Sequence, residues 1–303
     1  MTSRSTERTQ HSSASAFALV SGFTIVLLAV GLIVTLVLGL GLLGVAATVV
    51  VVGVITGSAY VGGDSLALAL TGAVPIDPQR HARLDNLADG LCATVGVPKP
   101  RVLVVDCEAA NAFACGRGQR RAAVVVTSGL LERVSRIELE GVLARELQQI
   151  KSGEAHRNSL LVGFVALPAA ACDRALRTWW SGSGPDGQRR SALGTLLSAC
   201  CVPLTPLAPM AARVLHVFVR PDGDGLSDLA AVGVTRYPPG LAGALDEMRE
   251  AGTVVASAGR VTAHLWVAEP LPPPPPEGFA GRTLAKLSTH LPLDQRVDVL
   301  REL

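Results

Sequence analysis

Charge and aromatic rings are both scarce in this chain. Charged residues make up 17% of the 303 positions and aromatic residues 4%, while 49% are hydrophobic. With a mean hydropathy of +0.40, that balance argues against a disordered polyelectrolyte and for residence in a membrane. A net charge of +2 gives a nucleic-acid role no electrostatic support. The cysteines (Cys92, Cys107, Cys115, Cys172, Cys200, Cys201) form no C-x-x-C pair and no regular framework. A redox couple, a zinc ribbon and a disulfide scaffold are therefore excluded, and the thiols read as small buried hydrophobes in a reducing compartment. Neither a G-x-S-x-G elbow nor a phosphate-binding loop is present, and no internal repeat is found.

From Ala16 to Gly63 no charged residue occurs at all. The stretch is long enough for two helices of ~20 residues, each crossing a hydrocarbon core of about 30 Å. GLGLLG (Gly39 to Gly44) is the natural turn between them, and the apolar region is too long for the core of a signal peptide. Residues 1–15, rich in Ser and Thr, are expected to be a disordered tail. A hairpin over 16–63 returns the chain to its starting side, so the tail and residues 64–303 share one face, which we expect to be cytoplasmic.

Leu84, Leu87, Leu91 and Val95 are spaced as one helix face within Asp77 to Val95. Arg101 to Asp106 reads as a buried strand and Ala122 to Thr127 (AAVVVT) as a second, either at a sheet edge or in the core. Ser135 and Glu138 form a capping box ahead of the stripe Leu139, Val142, Leu143, Leu147, Ile150, and Gly153 closes that helix. A second hydrophobic region follows at about 159–217. Ser159 to Cys172 is short for a span and holds Pro168; Ser191 to Ala212 is interrupted by Pro203, Pro206 and Pro209. Spanning and interfacial placement both remain open. Gly223 and Gly225 weaken the helix expected around Arg220 to Asp228, whose D-G-D-G run lacks the full ligand set of a calcium loop. Pro238 and Pro239 open a helix over Thr235 to Ala251, the prolines within Leu271 to Glu277 form a stiff loop, and Thr289 to Leu303 ends in an amphipathic helix.

Gly141 to Glu154 reads GVLARELQQIKSGE. A zincin helix carries H-E-x-x-H, two histidines one turn apart that bind zinc beside a glutamate acting as general base. Arg145, Glu146, Leu147, Gln148 and Gln149 occupy those five positions: the glutamate stands and both histidines are absent. The surrounding blocks are LDNLADGLCATVGVPKPRVLVVD (Leu84 to Asp106), NAFACGR (Asn111 to Arg117), AAVVVTSGLLERVSRIELEGVLARE (Ala122 to Glu146), TRYPPGLAGALDEM (Thr235 to Met248) and STHLPLDQRV (Ser288 to Val297). In that order they resemble the HtpX-type membrane metallopeptidases, from about residue 77 onward.

The resemblance implies an α+β, zincin-like domain on a transmembrane hairpin, with a second hydrophobic pair inserted, in the bacterial inner membrane. It places the third zinc ligand at Asp224, a glutamate in the family, and the aspartate that orients the first histidine at Asp228. It also implies a peptide-binding edge from Asn111, Phe113, Val124, Val125 and Val126, since an open strand edge pairs with extended peptides. His290 falls in a family-like T-H-x-P turn and reads as structural.

Zinc enters only through this resemblance, and no cofactor is expected. Gln149 is a weak neutral donor and Arg145 keeps its charge in any protein. Two unit charges ~4 Å apart repel by about 4 kcal/mol at an effective dielectric of 20, and a divalent ion feels roughly twice that. The expected arrangement is Arg145 paired with Asp228 or Asp224, with drift to an unpaired Arg145 as the alternative. The function expected is that of an inactive homologue that binds peptides or membrane-protein segments or regulates an active relative. Two alternatives stand beside it: a peptidase with an oxygen-ligand metal site from Glu146, Gln149, Asp224 and Asp228, and a purely structural membrane subunit.

Overall fold

Two long apolar helices lead the chain in a computed structural model that describes residues 2–164, 222–259, 261–272 and 290–303. Helix α1 (Thr2–Val37) and helix α2 (Gly41–Thr71) run antiparallel through a turn at Gly39 and Gly41, whose φ values of 66° and 57° suit glycine. Thr24 meets Thr56 at 3.4 Å and Thr35 meets Thr48 at 3.1 Å, which sets the register of the hairpin. Both helices are long and apolar enough to cross a membrane, and Leu36, Leu42, Leu43 and Val50 lie exposed on them.

Two boundaries differ from the sequence expectation. Residues 2–15, expected as a disordered tail, continue α1, because adding a turn to an existing helix costs far less than nucleating one. The second helix also passes Gly63 without a break and ends at Thr71, so Asp64 is a helical residue.

The domain that follows is mixed α and β. Strands β1 (Val74–Pro75), β2 (Arg101–Val105), β3 (Ala112–Gly116) and β4 (Ala122–Thr127) form one sheet in the order β1-β2-β4-β3. β2 and β4 are parallel, while β1 joins β2 and β3 joins β4 antiparallel. Side chains alternate between two cores. Val102, Val104, Ala112, Ala114, Val124 and Val126 face helices α3 (Ala82–Val95) and α5 (Arg136–Ser152). Leu103, Val105, Phe113, Cys115, Ala123 and Val125 face Ala67 and Leu68 of α2. Burial on both faces explains why AAVVVT is an unbroken apolar run.

Val124, Val125 and Val126 are therefore in an interior strand, and their expected place on a peptide-binding edge is corrected. The edge strand is β3, which the sequence reading did not identify. Its outer side is occupied by the chain itself: Val267 N–H donates to the Ala112 carbonyl at 2.8 Å, and Phe113 forms an antiparallel bridge with Trp266. Asn111 ties the cover down, its Nδ2 donating to the carbonyls of Ala268 (2.9 Å) and Thr253 (3.2 Å).

A short helix α4 (Ser128–Arg133) leads into α5. α5 begins at the expected capping box, where Ser135 Oγ accepts from Glu138 N–H and Glu138 Oε2 accepts from Ser135 N–H. It ends at Gly153 with φ 82°. Residues 154–164 form helix α6, the start of the second hydrophobic region, most of which lies outside the described residues, as does most of the proline-rich stretch. Helix α7 (Asp222–Thr235) forms in spite of Gly223 and Gly225, which fall in its first turn, where packing outweighs propensity. Helices α8 (Pro238–Ala251) and α9 (Leu293–Arg301) complete the domain.

Candidate active site

α5 and α7 cross with Arg145 pointing between them, and Arg145 is wholly buried. Its guanidinium spans three carboxylates. Nε donates to Asp228 Oδ1 at 2.9 Å, Nη1 to Glu146 Oε1 at 2.7 Å and Nη2 to Asp224 Oδ1 at 2.7 Å. The planar fork of donors lets one side chain serve three acceptors at once, which an ammonium would do less well. Arg145 was expected to pair with Asp228 or Asp224; it holds both, and Glu146 as well.

Two further residues complete the cluster, and the sequence reading did not assign either to it. Arg296 of α9 is buried beside Asp228, with Nε 2.7 Å from Oδ2 and Nη2 2.9 Å from Oδ1. Its Nη1 donates to the Val267 carbonyl at 2.6 Å. His290 places Nδ1 3.0 Å from Asp224 Oδ2 and Nε2 3.0 Å from the Ala263 carbonyl. Both ring nitrogens thus face acceptors, and the imidazolium is the form that donates twice. With that proton on, three carboxylates meet two guanidiniums and one imidazolium, and the buried charge sums to zero.

The acids respond accordingly. Burial pushes the Asp224 carboxyl up, but the His290 hydrogen bond and charge, then Arg145 and Arg296, bring it down to about 2. Glu146 moves the other way: burial raises it against the pull of Arg145. Burial also lowers His290, yet Asp224 and the Ala263 carbonyl outweigh it and the imidazole stays above its ordinary value of 6.5. A group raised in the folded state adds stability below its unfolded value and loses it as pH climbs through the folded one. In detergent, the melting temperature is thus expected to fall as pH rises above 6.5, and His290→Gln is expected to remove most of that slope. An unchanged slope in His290→Gln would assign it to another group.

The donor set does not fit zinc. Asp224 and Asp228 have each of their oxygens against Arg145, Arg296 or His290, and Glu146 Oε1 against Arg145. Of the oxygens at this site, Glu146 Oε2 and Gln149 Oε1, one carboxylate and one amide oxygen, are buried without a hydrogen-bond partner among the described residues. A catalytic zinc of this class takes three protein ligands, mainly imidazole with carboxylate. Among the described residues no group of three His, Cys, Asp or Glu is placed to hold a metal ion. His264 sits apart, with Nε2 3.0 Å from the Asn158 carbonyl, and burial drives it down to about 4, so it is neutral. Burial pushes the Cys115 thiol up to about 12, which removes it as a nucleophile.

Residues 78–213 match Peptidase family M48. A protease HtpX homolog of Caldanaerobacter subterraneus subsp. tengcongensis is 30% identical over 287 residues, 93% of this chain and 92% of that one. This chain belongs to the HtpX-like M48 peptidase family. Family members named protease HtpX homolog in Tropheryma whipplei and Pyrococcus abyssi are each 32% identical, the first over 80% of both chains, the second over 79% of this chain and 80% of its own. Among solved structures, S. mikatae Ste24p matches at 15% identity with a TM-score of 0.39, over 84% of this chain and 57% of that one.

Proposed function

We propose that this chain is a proteolytically inactive HtpX-like protein that acts by binding or regulating membrane proteins, an active relative among them, at the bacterial inner membrane. One observation carries the reading: the guanidinium of Arg145 lies buried among Glu146, Asp224 and Asp228, to which the resemblance gives the base, third-ligand and histidine-orienting positions. A cation fixed by covalent attachment partly neutralises them and binds one oxygen of each, in the place a zinc ion would need. The alternative oxygen-ligand peptidase loses support for the same reason, since Asp224 and Asp228 are already engaged. The covered β3 edge favours recognition through the exposed apolar helices over strand addition to the sheet, and it also supports the reading as a structural membrane subunit.

The test is elemental analysis of the detergent-purified protein after incubation with zinc, beside Arg145→His/Gln149→His. Wild type is expected to hold well under one zinc per chain and the double variant to gain zinc. Stoichiometric zinc in wild type that disappears in Glu146→Ala would overturn the reading. A casein or membrane-protein cleavage assay on the same samples is expected to stay at background for wild type.

A further inference from the structure

We infer that the membrane-proximal end of the sheet is a binding surface for anionic lipid headgroups, formed by Arg101, Arg120 and Arg121. Three contacts set its height. α2 carries no charge before Asp64, and from Leu42 to Val61 it is apolar and largely exposed, with Gly44, Val52 and Ala59 buried; at 1.5 Å per residue that length is close to a hydrocarbon core of about 30 Å. Two residues on, a Cβ at Gly63 would collide with the Ser159 carbonyl, and Ser159 Oγ accepts from the Gly116 N–H at 2.8 Å. The β3–β4 hairpin therefore starts at the level where the uncharged stretch of α2 ends at Asp64. Arg117 Nε, 3.5 Å from Asp64 Oδ1, confirms the level from a second pair.

Register brings the remaining arginines to the same end. Gly116 pairs with Ala122, and Cys115 and Arg101 both pair with Ala123, so the start of β2 and the hairpin tip lie together. Arg120 and Arg121 form the tip, and with Arg101 they are exposed. None of the three has a side-chain hydrogen bond or ion pair among the described residues. The nearby Lys99 is held by Asp85 and Asp89, and Arg117 by Asp64, so the local acids are spent on other cations. Tyr60, half exposed and edge-on to His156, supplies the amphipathic ring common at this depth. Guanidiniums at the headgroup level that have no partner among the described residues are matched by phosphate, which they bind through two parallel N–H bonds.

Native mass spectrometry of the full chain, released from micelles doped with equal phosphatidylglycerol and phosphatidylcholine, tests this. Wild type is expected to retain phosphatidylglycerol in preference. The preference should fall about fivefold for each arginine removed, the equivalent of roughly 1 kcal/mol, in Arg101→Gln, Arg120→Gln and Arg121→Gln. Lysine at the same positions should restore most of it. Equal retention of the two lipids, or a triple glutamine variant indistinguishable from wild type, overturns the inference. Displacement of the lipid by millimolar inorganic phosphate at fixed ionic strength also overturns it, because that result marks a site for a free anion. The outcome is independent of whether the chain binds zinc.

Discussion

Arg145→Met is expected to unfold the domain at a temperature far below wild type. The substitution keeps side-chain length and burial but leaves Glu146, Asp224 and Asp228 facing one another with only Arg296 and His290 to answer them. Removing one partner of a buried ionic cluster costs about 3–5 kcal/mol, since the charges left behind are unsolvated. For domains of roughly 150–250 residues each kcal/mol shifts the melting temperature by about 2–4 °C, which puts the loss between roughly 6 and 20 °C. A further change of Glu146 and Asp224 to Leu should recover at least half, because the surviving Asp228–Arg296 pair is balanced. Thermal unfolding in a fixed detergent reads both. A loss under ~2 °C for Arg145→Met would mean the guanidinium does not hold the site together.

The second large effect is expected at Gly63. A side chain there would drive into the Ser159 carbonyl, and one at Gly163 into the Ala59 carbonyl. α2 and α6 thus touch backbone to backbone, the close approach that small residues permit between membrane helices. Neither carbonyl can swing aside as a side-chain tip could. Gly63→Leu is expected to cost at least the 1–3 kcal/mol typical of overpacking, and to detach α2 from the sheet face that Ala67 and Leu68 cover. Gly62 is the control: it is half-buried and a Cβ there meets nothing among the described residues. Limited proteolysis should show Gly63→Leu cleaved faster than Gly62→Leu; equal rates would show that the crossing does not fasten the hairpin.

Local signals carried far in this chain and long-range ones did not. The capping box, Gly153 and the apolar stripe fix α5 from neighbours within a few residues, while the family resemblance, joined to charge chemistry, pointed Arg145 toward Asp224 and Asp228. Arg296 was invisible because an arginine next to Val297 on an amphipathic helix looks like a solvent-facing residue, and only the tertiary placement of α9 turns it inward. One clue existed: three acids around a single arginine call for more positive charge. His290 was read as structural, and its part in that balance depends on a loop contact 66 residues away in sequence. β3 escaped detection because Ala112 to Gly116 is short and built of small residues. The interior position of β4 followed from pairing on both sides, which no single strand's composition reveals.

The two borders of the sheet have a consequence for how the protein behaves when crowded in a membrane. On one side lies β1, only two residues long, and one of them is Pro75, which has no amide hydrogen to offer. On the other, residues 266–268 already lie along β3. With neither border presenting an open row of amides, neighbouring copies have no template on which to polymerise strand by strand. Overproduction should therefore yield discrete particles rather than fibres, and any self-association should run through the lipid-embedded helices.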